Sequence, residues 1–138
     1  MRRDEVSGLE YDFLACDVVG FVGFFSTAGA GYPPRGLLEH ADLHQRAVEA
    51  IMELAAITDG RCSARVAKGL RNDWDLMTRR GVFAYDSHPN GGPYVRCGIP
   101  GLARQVFEFP PLVREAALSV RLQLEFSRSG VIGEEAFV

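Results

Sequence analysis

The sequence predicts an α+β domain: a mostly antiparallel sheet of about five strands, two hairpins plus a C-terminal strand, covered by one long helix and shorter ones. Three observations predict it. Short, largely apolar runs joined by turn residues lie near 11–26 and 82–99, and residues 119–126 alternate strictly between apolar and polar. Between the first two runs, apolar residues recur at steps of three and four. The chain has 138 residues, enough for one hydrophobic core, so residues 1–138 are expected to form a single domain.

Residues 11–17 put Tyr11, Phe13 and Ala15 on one face and Asp12, Leu14 and Cys16 on the other. Asp17 to Gly20 read as a turn and 21–26 as the returning strand, with Gly23 marking close packing or a bulge. Residues 27–36 read as a loop. From Leu37 the helical period sets in, with Leu37, Ala41, His44, Val48, Ile51, Met52 and Ala55 along one stripe, about five turns in all. Asp59 and Gly60 stop it. Residues 61–71 have no clear period. Asn72 or Asp73 caps a short helix ending at Arg79, Arg80 and Gly81. Val82–Asp86 and Pro93–Ile99 read as strands joined by a six-residue loop. Pro110 and Pro111 open another short helix. In 119–126, Val120, Leu122, Leu124 and Phe126 alternate with polar residues as in a half-buried strand.

Net charge is −3 and the isoelectric point about 5.6, which gives no electrostatic support for binding nucleic acid or an anionic membrane. The weakly polar stretch from Val18 to Gly31 is too short and too rich in glycine for a membrane helix. Three cysteines, Cys16, Cys62 and Cys97, stand apart without a CxxC, so no disulfide framework is expected. With no apolar leader after the first residues, the expected location is the cytoplasm.

Few motifs suggest chemistry. His40 and His44 share a helix face at i and i+4, but the glutamate of a helical metal motif is missing, and no metal or other cofactor is expected. Ala28-Gly29-Ala30-Gly31 lies where a phosphate loop would, between strand and helix. It lacks the Lys-Ser/Thr ending, so a turn with positive φ is the expectation. Ser26 has no nucleophile-elbow context. Asp17 and Asp86 each end a strand, where turn chemistry is the ordinary role. The loop between the second pair of strands carries recognition-prone residues, and Asp86, His88, Tyr94 and Arg96 are the expected interface residues.

One longer pattern stands out: Asp17, Gly20, Val22, Phe25-Ser26-Thr27, Gly29, Gly31 and Pro33, then Trp74, Gly81 to Asp86, Gly92-Pro93-Tyr94-Val95-Arg96 and Pro100. Over residues 11–100 it resembles a group of small bacterial proteins similar to immunity partners of polymorphic-toxin and contact-secretion systems. The resemblance implies a non-enzymatic protein that neutralises a cognate toxin in a one-to-one complex by occluding its active site. It brings no catalytic residue. Toxin clefts that bind nucleic acid are basic, and acids concentrate here at Asp4, Glu5, Glu10, Asp12 and Asp17 and at Glu134 and Glu135. The alternative expectation is a small enzyme or ligand-binding domain. Its pocket would lie between the Gly29–Pro34 loop and the Tyr85–Arg96 hairpin, with Asp17, Asp86 and Arg96 converging there.

Overall fold

A computed structural model describes residues 1–138. Strands β1 (Asp12–Cys16), β2 (Val22–Ser26), β3 (Gly60–Cys62), β4 (Phe83–Ser87) and β5 (Tyr94–Pro100) form one sheet in the order β1-β2-β4-β5-β3. A sixth short strand, β6 (Val131–Ile132), pairs with the start of β5. Helices α1 (Arg3–Val6), α2 (Arg35–Glu39), α3 (Ala41–Met52), α4 (Asp73–Thr78) and α5 (Pro111–Leu118) complete the α+β architecture.

Both predicted hairpins form, β1–β2 and β4–β5. The sheet is nevertheless mixed, because the hairpins meet through a parallel pair: Phe24 lies beside Ala84 and Phe25 beside Tyr85. Local patterning identifies each hairpin but not which strands meet between them. That choice is made by the crossover through α2, α3, β3 and α4.

The single long helix is two helices. The chain breaks at His40, whose φ of −136° and ψ of 41° interrupt the helical run. The apolar stripe survives the break, with Leu37 in α2 and His44, Val48 and Ile51 in α3 all buried. Of the two expected cap candidates, Asn72 caps α4, its side-chain oxygen accepting from Asp75 N–H at 3.1 Å.

The predicted C-terminal strand is not a ladder strand. Val120, Leu122 and Phe126 are buried, yet the segment makes only isolated bridges, Cys16 with Arg121 and Leu122 with Phe137. Alternation reports one-sided burial, and here β1 offers a backbone partner only at Cys16, which exchanges hydrogen bonds with Val120 and Leu122. The segment is a cover laid over the sheet.

Both sheet faces are therefore buried. On the first, Leu14, Val22, Phe24 and Ala84 meet α3, α4 and α5. On the second, Phe13, Phe25, Tyr85 and Tyr94 meet Leu37 and the C-terminal cover. Phe13, Phe25 and Tyr85 stack across three neighbouring strands, with centroids 5.0 and 4.8 Å apart and planes within 8°. Tyr94 stands edge-on to Phe13 and Phe25. Such contacts are worth about 0.5–1.5 kcal/mol each beyond burial itself.

No helix is long and apolar enough to cross a membrane.

Candidate functional site

The carboxyl ends of the parallel pair β2 and β4 deliver two loops to the same end of the sheet. After β2, Ala28 and Gly29 take positive φ values of 51° and 90°. This tight turn lets Thr27 O accept from both Ala30 and Gly31 N–H. After β4, the 88–93 loop turns on Gly91 and Gly92, again at positive φ. Between these loops lies a cleft of about 660 Å³, bordered by Tyr32, Gly92 and Tyr94 and closed at one side by α1 and residues 132–134. Arg3 of α1 sits 5.2 Å above the Tyr32 ring and 3.7 Å from Glu134. The cleft lies between the Gly29–Pro34 loop and the Tyr85–Arg96 hairpin, the place the alternative expectation names.

The charged residues expected to converge there do not. Asp17 is buried beneath the β1–β2 turn. Its carboxylate accepts from Val19, Phe21 and Phe126 N–H at 3.1, 2.8 and 2.9 Å. Burial still holds its pKa above the ordinary carboxylate value. Arg96 donates to Phe126 O, as does Tyr85 OH. Asp17, Tyr85 and Arg96 therefore meet around the Phe126 backbone, where they pin the C-terminal cover to the sheet. Asp86 lies on the opposite face.

The expected interface residues divide likewise. His88 is exposed at the loop tip, its Nδ1 accepting from Asn90 N–H. Asp86 is half-buried, and burial raises its pKa. Tyr94 is 1% exposed, with its hydroxyl on Tyr32 O, so its side chain supports the cleft from inside. Arg96 is half-buried in the knot around Phe126.

A second constellation was not visible in the sequence. Strand register sets Asp12 beside Ser26 and Ser26 beside Asp86. Two adjoining grooves of about 230 Å³ each share Glu10, Asp12, Arg71 and Asp73. Arg71 pairs with Asp73 and Glu49 at 2.5 and 3.1 Å, and both bonds hold its charge firmly. Asp12 accepts from Ser26 OH at 2.9 Å but keeps no cation. Burial, and then the charges of Asp73, Glu10 and Asp86, raise its pKa to about 6 against that hydrogen bond. These acids come from positions 10 to 86, so no local motif announces them.

The paired histidines separate. His40 is half-exposed beside Glu39, 3.9 Å away. His44 is fully buried between β1 and α5. Its Nδ1 accepts from Leu14 N–H at 3.0 Å, and its Nε2 lies 2.9 Å from Ser119 Oγ. A ring accepting at Nδ1 carries its proton at Nε2 and donates to Ser119, whose hydroxyl donates on to Ala116 O. The pair has the residues of a nucleophile and its base but the opposite polarity. His44 cannot take the serine proton, and it acts as a structural bolt joining α3, β1 and α5.

Comparison of the chain with known protein families, with curated proteins and with solved structures finds no match.

Proposed function

We propose that the protein is an immunity-type inhibitor that binds a cognate toxin domain one-to-one and occludes its active site. The observation that carries this reading is Asp12. Its carboxylate is half-buried among like charges at the junction of the two acidic grooves, and at neutral pH it is ionised at a cost to the free protein. A lysine or arginine from a basic surface would relieve that cost, so binding such a surface recovers energy the isolated fold forgoes. The exposed His88 loop stands at the same end of the sheet and offers a protruding edge for shape recognition. The motif resemblance over residues 11–100 supports the same partner class.

The test is co-expression with toxin domains encoded beside the chain's own gene. Protection of growth and co-purification of an equimolar complex are expected, with binding weakened by salt and by Asp12→Asn. Equal toxicity with and without the chain would overturn the reading.

The cleft favours a second reading, a ligand-binding domain, because 660 Å³ falls within the size of small-molecule sites. Fragment screening by NMR distinguishes it: ligands would shift the amides of Gly29, Tyr32 and Gly92 and leave Asp12 unmoved.

A further inference from the structure

Cys62 ends β3, and Cys97 lies in the middle of β5, its antiparallel neighbour. The register sets Cys62 opposite Gly98, while Ser63 N–H donates to Cys97 O at 2.8 Å. Residues opposite each other on a ladder point to the same face. A Cβ on Gly98 would meet Thr78 and Ala84, so this face looks toward α4 and the first core.

In a regular strand Cys97 would point away from Gly98. Here β5 is irregular against β4: Ala84 pairs with Gly98 and Tyr85 with Arg96, leaving Cys97 as the extra residue of a bulge. Its side chain packs against the first core. The bulge thus brings Cys62 and Cys97 onto one face, one residue out of register on adjacent strands. On an ideal ladder, with strands about 4.8 Å apart and a rise of about 3.4 Å per residue, neighbours in this diagonal relation have Cα atoms about 6 Å apart, inside the span a disulfide bridges. Cys16, on β1 at the far side of the sheet, has no such neighbour.

We propose that Cys62 and Cys97 form a reversible oxidation site that closes an intramolecular disulfide between β3 and β5 under hydrogen peroxide. Both thiols are free in the reduced protein. Burial lifts both pKa values, that of Cys97 further, to about 12, so Cys62 is the more readily ionised of the two and reacts first. The Cys62 sulfur attacks one peroxide oxygen and the O–O bond breaks, giving a sulfenic acid and one water. The Cys97 sulfur, giving up its proton, then attacks the Cys62 sulfur. The S–S bond forms, the S–O bond breaks and a second water leaves. Two thiols and one peroxide become one disulfide and two waters. The loop so closed contains α4, Arg71 and Asp73, so oxidation ties down one wall of the acidic grooves.

The experiment is thiol counting on the reduced, purified full chain before and after hydrogen peroxide. Denaturing alkylation, intact mass and peptide mapping provide the readout. Alkylatable thiols are expected to fall from three to one, with a mass loss of two hydrogens. Cys62 and Cys97 should be joined in one peptide pair, Cys16 left free, and all three thiols restored by dithiothreitol. Cys62→Ser, at the sheet edge, should abolish the bridge while circular dichroism stays unchanged. Three free thiols after treatment, a bridge through Cys16, a bridge between molecules, or oxidation stopping at separate sulfinic acids would each overturn the proposal.

Discussion

Lowering the pH should weaken the fold through His44, and the effect can be worked from its surroundings. In the unfolded chain this imidazole takes up a proton near its ordinary value of 6.5. In the fold, burial and the nearby His40 charge depress the pKa to about 4. A proton on Nδ1 would also turn the Leu14 N–H contact into donor against donor. Stability from the neutral ring is complete above about pH 6.5 and is lost as pH falls toward 4. Linkage over that interval gives about 3 kcal/mol in all, and about 2.5 kcal/mol between pH 7.5 and pH 4.5. Urea unfolding across this range, for wild type and His44→Gln, isolates the contribution. The glutamine has an oxygen to accept from Leu14 and an amide to donate to Ser119, but no titration. The variant should be less stable at pH 7.5, since it packs less well. The gap should shrink or reverse by pH 4.5. Parallel pH curves for the two proteins, or an NMR titration of His44 near 6.5, would refute the reasoning.

Three further outcomes follow from the same contacts. Asp12 is raised to about 6, so its protonation favours the fold and its ionisation above that pH opposes it. Asp12→Asn should therefore stabilise the free protein at pH 8 by about 1 kcal/mol, allowing for its partial exposure, and have no such effect at pH 3.5. Asp17→Ala strands the buried Phe126 N–H, removes the acceptor of the part-buried Val19 and Phe21 N–H groups and loosens the C-terminal cover, so chemical denaturation should show a loss of about 2 kcal/mol or more. Gly36→Ala would drive a methyl into Ser119 O and set it 2.6 Å from Val120 Cγ2, and a thermal scan should show destabilisation of about 2 kcal/mol or more.

The sequence by itself determined the elements whose signal is local. Short apolar runs bounded by turn residues marked β1, β2, β4 and β5, because run length and flanking turns are local features whatever the partner strand. The Asn72-Asp73 pair marked the start of α4 because a cap acts on the backbone three residues away. The Gly29–Pro34 loop and the Tyr85–Arg96 hairpin were legible as local turn structures for the same reason, since turn chemistry is local. What the tertiary structure decided depends on residues far apart in the chain. The parallel β2–β4 pair, the use of 119–138 as a cover and the break at His40 follow from which surfaces must bury each other. The proposed site is of this second kind. Glu10, Asp12, Asp73 and Asp86 acquire their shared electrostatics only when β1, β2, β4 and α4 meet, and a carboxylate's pKa responds to distance in space, which sequence spacing does not encode.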